Sequence, residues 1–143
     1  MNLADYKDVY VFAEQRDGKI QNVALELLGK ARELADANNE KVVAMLLGHG
    51  IKDKAQELIA AGADHVLVVD DPHLETYLTE PYTEAITQII TERKPSIMLI
   101  GATTIGRDLG PRVSARNRTG LTADATKLEI SDDEAHEFRM TRP

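Results

Sequence analysis

The stretch SIMLIGATTIGRD, Ser96 to Asp108, decides the fold. Its first five residues are almost wholly apolar, as in a strand covered on both faces. Gly101 and Gly106 follow, and then a segment with helical potential. Strand, glycine-rich turn and helix in that order make one βα unit, and a phosphate-binding P-loop starts the same way. That motif continues with Lys, which meets the β- and γ-phosphates, and with Ser or Thr, whose hydroxyl binds Mg²⁺. Arg107 and Asp108 stand there instead. Arg107 can hold a phosphate, whereas the Asp108 carboxylate repels one. The motif also normally follows the first strand of a sheet, and this run is the fourth.

Working back from this unit, three earlier βα units emerge. Asp8–Ala13 (DVYVFA), Lys41–Leu47 (KVVAMLL) and His65–Val69 (HVLVV) are β-rich apolar runs. Between them lie Asn22–Ala37, with Val23, Leu27, Ala31, Leu34 and Ala35 on one helical face, and Lys52–Ala61, closed by Gly62. Asn22 is the expected N-cap of the first helix. Tyr82–Arg93 is a third helix, its inward residues being Ala85, Ile86, Ile89 and Ile90. Pro111 fits only a first helical turn, so the fourth helix is expected over Arg107–Asn117, just after Gly106. Apolar strands alternating with amphipathic helices predict a doubly wound, mostly parallel α/β sheet, Rossmann-like. Beyond Gly120, Leu121–Ile130 and His136–Met140 alternate apolar with polar residues around Ser131–Glu134, which predicts a hairpin or edge strands. The expectation is a single domain over 1–143, with a βα core at 1–120 and edge strands at 121–143.

Composition narrows the function. A chain of 143 residues with net charge -7 is ill suited to non-specific binding of nucleic acid or an anionic membrane. No apolar run approaches the ~18 residues needed to span a bilayer, and the charged start MNLADYKD is unlike a secretory signal, so the cytoplasm is the expected compartment. With no Cys, thiolate catalysis, Fe–S clusters and Cys-based zinc sites are excluded from these residues.

In an open α/β sheet, ligands bind beyond the carboxyl ends of the strands, where the strand order reverses. Here that crevice is expected between the first and fourth strands, lined by Glu14, Gln15 and Arg16 and by residues 101–108. Gly101, Thr103, Thr104, Gly106 and Arg107 are the cofactor-binding candidates, set against a purely structural turn packing helix on sheet. The nucleotide site of universal-stress-type proteins also places glycines after the fourth strand. Gly110 and Gly120 are suitably spaced for it, but Leu121 replaces the hydroxyl it needs, and Thr122 comes one position late. Arg107, Arg112, Arg116 and Arg118 form a basic cluster in an acidic chain, either a solvated helix face or a patch for an acidic partner. Asp70, Asp71, His73 and Glu75 offer metal ligands, although an Asp-Asp-Pro turn is also a common way to leave a strand. His49, His65 and His136 are scattered, and no catalytic constellation emerges.

Three phrases carry a more specific signal: VYVFAEQRDGKIQNVALELLGKARELAD, LIAAGADHVLVVDDPHLETYLTEPYTEAI and IMLIGATTIGRDLGPRVSARNRTGLTADAT. Together they resemble the opening α/β domain of the electron-transfer flavoprotein alpha subunit, over essentially all 143 residues. The resemblance implies a redox carrier rather than an enzyme in its own right. It implies FAD in a C-terminal domain absent from these residues, and a heterodimer with a beta subunit that carries AMP or a second FAD. It also implies partners such as acyl-CoA dehydrogenases, a quinone reductase or ferredoxin. In that family the alpha subunit's own nucleotide crevice is not an occupied site, so 101–108 would be an ancestral turn kept for structure. The arginines at 107, 112, 116 and 118 become interface candidates. TGLTADAT (Thr119 to Thr126) and the acidic composition lean towards anaerobic, electron-bifurcating bacterial members. The alternative is a stand-alone nucleotide-binding domain of the universal-stress type, and a P-loop enzyme is a third reading.

Overall fold

The structure, a computed structural model, describes residues 6–116, 126–130 and 138–141, the last two stretches as backbone. Along the chain run β1 (Val9–Phe12), β2 (Gln15–Arg16), β3 (Lys19–Ile20), α1 (Asn22–Asn38) and β4 (Val42–Gly48). Then come α2 (Ala55–Ala60), β5 (His65–Asp70), α3 (Thr79–Arg93), β6 (Ile97–Ile100), α4 (Thr104–Arg116), β7 (Thr126–Ile130) and β8 (Phe138–Thr141). The six-stranded sheet has the order β5-β4-β1-β6-β7-β8. Its first four strands are parallel and the last two antiparallel, with Val9 opposite both Val42 and Ile97.

This order follows from handedness. Right-handed crossovers that build outward from β1 to β4 and β5 put α1 and α2 on one face, and the return to β6 puts α3 on the other. Two cores result. Val9, Val11, Val42, Ala44, Ile97 and Leu99 pack beneath Leu27, Leu28 and Ala31 of α1 and Leu58 of α2. Their neighbours Tyr10, Phe12, Val43, Met45, Met98 and Ile100 pack beneath Ile86 and Ile90 of α3 and Leu109 and Val113 of α4. The period-two alternation of strand side chains thus feeds both faces, and the runs read as continuously apolar for that reason. Burying a side chain such as Leu99 contributes about 1.5–3 kcal/mol.

Three local features differ from the sequence expectation. Gln21, extended at φ -85°, occupies the N-cap of α1, so Asn22 is the first helical residue. β2 and β3 form an unanticipated two-residue hairpin closed by Asp17 (φ 53°) and Gly18 (φ 81°). Both turn residues adopt the left-handed conformation that this tight turn requires. Helix α4 begins at Thr104 rather than after Gly106, with Pro111 inside it. The Thr103 hydroxyl accepts the Gly106 N–H at 3.0 Å, which starts the helix early. Pro111 is exposed, and Gly110 before it has no Cβ to meet the proline ring. The C-terminal strands β7 and β8 pair antiparallel at the edge of the sheet, where edge strands were expected, and residues 121–125 and 131–137, with the expected turn at Ser131–Glu134, lie outside the described stretches.

Candidate functional site

The strand order reverses between β1 and β6, so the crevice opens above their carboxyl ends, over Ala13–Gln15 and Gly101–Thr104. The two glycines there are explained by packing. A Cβ on Gly106 would lie 1.8 Å from the Gly101 carbonyl oxygen, and one on Gly101 would lie 2.6 Å from a Val23 methyl. The first α4 turn therefore sits directly on the strand end. No substitution at Gly106 fits without moving backbone.

A carboxylate of the chain itself stands at the start of α4. Glu14, 3% exposed, accepts a 2.5 Å hydrogen bond from the Thr103 hydroxyl, the group that caps α4, and lies 3.9 Å from Arg16. A negative group at a helix N-terminus is favourable, and here the chain supplies its own. Next to it, Gln15 is equally committed. Its amide nitrogen donates to the Leu47 carbonyl (3.1 Å) and lies 3.4 Å from the Tyr82 hydroxyl, and its carbonyl accepts the Gly18 N–H. Tyr82 donates to the Leu74 carbonyl at 2.7 Å, and burial pushes its phenol pKa up. The recesses that remain beside the hairpin, about 170 and 340 Å³, share Gln15, Asp17, Glu75 and Thr76. Their carboxylates disfavour a polyphosphate.

Asp108, exposed on α4, is engaged by two neighbouring hydroxyls. It accepts hydrogen bonds from Thr79 (2.5 Å) and Tyr77 (2.7 Å), tying α4 to the start of α3. Those two hydroxyls hold its carboxyl below the ordinary aspartate range. Conversely, burial and then the bond to Asp108 push the Tyr77 phenol up. Sequence reasoning missed this latch because its partners lie 29 and 31 residues away.

The basic cluster is divided. Arg112 (3.7 Å) and Arg116 (3.2 Å) both reach Glu80 of α3 while remaining well exposed. Arg107 is exposed one turn earlier, and Arg118 lies outside the described residues. Thr104 is exposed at the head of α4.

The acidic stretch after β5 resolves into turn chemistry. Asp70 accepts the Gly50 N–H (3.0 Å), while Asp71 accepts the His73 N–H (2.8 Å) and caps a 3₁₀ turn over Pro72–Leu74. These backbone bonds, ahead of the neighbouring imidazoles, lower both carboxyl pKa values. Among the described residues, no group of three or more His, Asp or Glu side chains could hold a metal ion. None of their helices is long and apolar enough to cross a membrane.

Sheet order and reversed crevice define a Rossmann-like α/β domain in which Glu14 binds the residue that caps the fourth helix. The chain belongs to the electron transfer flavoprotein domain family, whose pattern matches residues 9–143. It is 52% identical over 143 residues to an electron transfer flavoprotein subunit alpha of Clostridium acetobutylicum, covering 100% of this chain and 42% of that protein. A protein of the same description from Megasphaera elsdenii is 54% identical over 133 residues (93% and 39%). The "Lactate dehydrogenase (NAD(+),ferredoxin) subunit LctC" of Acetobacterium woodii is 46% identical over 128 residues (90% and 31%). The chain thus spans about two fifths or less of the length of these relatives.

Proposed function

We propose that these residues form the scaffold domain of an electron-transfer flavoprotein alpha subunit, in the cytoplasm of an anaerobic bacterium. The supporting observation is similarity to alpha subunits over the whole of this chain, combined with a crevice lined by the committed side chains of Glu14 and Gln15. The residues at 101–108 do not fit the phosphates of FAD: the α4 cap is engaged by Glu14, and Gly106 is closed against Gly101. FAD is therefore assigned to polypeptide outside this chain, and no redox step is routed through the residues described. Their task is mechanical. They hold a rigid sheet from which the flavin domain extends, and they offer a docking surface to a beta subunit. The carried electrons pass between NADH or a dehydrogenase and acyl-CoA dehydrogenase-type, quinone or ferredoxin partners. The NAD and ferredoxin named for the Acetobacterium relative favour a bifurcating system.

The exposed arginines of α4 are the interface candidates. The test is association of the full-length alpha chain with its beta subunit, followed by stopped flow across ionic strength. Replacing Arg112 and Arg116 by Ala should slow association and flatten its salt dependence. An unchanged rate would assign them to solvated surface. Calorimetry should also find no micromolar binding of Mg-ATP to this chain, and tight binding would revive the stand-alone nucleotide-domain reading.

A further inference from the structure

At the opposite end of the sheet, beneath the last turn of α3, lies a recess of about 350 Å³. Its floor is Tyr10, Val43 and Leu67, three side chains from adjacent strands. Its rim carries Lys7, Lys41 and Arg93, all exposed. Among the described residues none of these three has an ion-pair partner. In a chain of net charge -7, unpaired cations gathered at one opening stand out.

Two carboxylates, Asp8 and Glu40, also line the recess, but they are spoken for. Asp8 accepts the Lys41 N–H at 3.0 Å. Glu40 accepts the Asp8 N–H at 2.9 Å and the Ser96 hydroxyl at 3.0 Å. They close the loop ends but keep their charge, so the recess sets three cations, none in contact with a carboxylate, against two carboxylates. Tyr10 is 5% exposed, and its hydroxyl makes no hydrogen bond among the described residues. The hydroxyl is not among the buried polar atoms that lack a partner, so solvent reaches it. Here its open side is the recess.

We propose that this recess binds a small organic anion, its charged group among Lys7, Lys41 and Arg93 and its apolar part on Tyr10, Val43 and Leu67. Its volume falls in the range of about 300–1,000 Å³ usual for a small-molecule site, with seven polar or charged residues around the three of the floor. Charge-assisted hydrogen bonds from Lys and Arg are the strong ones available to an anion. The site is separate from the crevice, since it lies at the amino ends of β1, β4 and β5.

The experiment titrates the full chain with phenyl phosphate, inorganic phosphate and phenol at about 0.15 M salt, where unspecific surface charge is screened, following backbone amide shifts by NMR. Phenyl phosphate should give saturable shifts centred on Tyr10, Lys41 and Leu67, and each of the other two probes, lacking one half of the match, should bind more weakly. Lys41→Ala with Arg93→Ala should weaken binding about tenfold or more, the loss of at least one charged contact. Tyr10→Phe, which removes only the unpaired hydroxyl, should weaken it severalfold with thermal unfolding unchanged. Shifts that rise linearly and spread over all surface Lys and Arg would overturn the proposal. So would equal affinity in the Lys41/Arg93 variant.

Discussion

The two ends of the sheet have opposite characters. At the carboxyl end, where this architecture ordinarily receives a ligand, Glu14, Gln15, Tyr82 and Thr103 satisfy one another and the backbone around them. At the amino end, Tyr10, Lys7, Lys41 and Arg93 surround an opening that nothing in the described chain fills. The contrast teaches that strand order fixes where a crevice opens, while a few side chains decide whether it is a site. A buried carboxylate at a helix start is favoured there on the same electrostatic grounds as any anion.

Breaking the filled end should have the largest effect. Gly106→Ala forces a methyl onto the Gly101 carbonyl, and it should cost about 4 kcal/mol or more, because only backbone can yield. Denaturant unfolding measures this, and a loss near zero would mean that the α4 turn is not seated on β6. Leu99→Ala, at the middle of the sheet and fully buried, calibrates the scale, with an expected loss of about 2–5 kcal/mol from the cavity it leaves. A loss under ~1 kcal/mol would place Leu99 outside a central strand. Gln15→Ala leaves the Gly18 N–H without its partner and the Leu47 carbonyl with only the Tyr82 hydroxyl at 3.4 Å, and it should cost about 1–3 kcal/mol.

Acid should act through the depressed carboxyls. Asp64 is lowered first by the Val42 N–H and then by Arg32, and Asp108 by Thr79 and Tyr77. A carboxyl whose folded pKa lies below its unfolded value of about 3.9 stabilises fully above that pH, and the contribution vanishes as pH falls through the folded pKa. Urea midpoints should therefore drop from pH 5 towards pH 2.5, and Asp64→Asn should make the decline shallower. The smallest effect belongs to the open end. Lys41→Ala and Arg93→Ala together should change stability by less than about 0.5 kcal/mol, since neither makes an ion pair among the described residues. A larger loss would erase the distinction between the ends.

The fold was legible because the apolar runs at 9–12, 42–48 and 97–100 have no alternative to a two-faced sheet. The position of the crevice followed from the expected strand order. Three things were hidden for physical reasons. The hairpin of β2 and β3 is only two residues per strand, too short to show alternation, although Asp17-Gly18 is a turn signal in itself. The start of α4 was misjudged because Pro111 was weighed without Gly110 beside it and without the Thr103 cap. The recess under α3 draws on Lys7, Lys41 and Arg93, which only the fold brings together, and no spacing rule connects them.

The position of β1 in the sheet also bears on synthesis. It leaves the ribosome before β4 and well before β6, yet it ends up between them. The Asp8 carbonyl at its base is met by the Ser96 hydroxyl 88 residues later. At translation rates of about 5–20 residues per second, one flank of β1 waits roughly 4–18 s for its neighbour. During that interval Tyr10 and Phe12 lack the α3 and α4 cover they later acquire. That cover is complete only once α4 has emerged, and slowing translation between β5 and β6 should lengthen the exposure of these side chains.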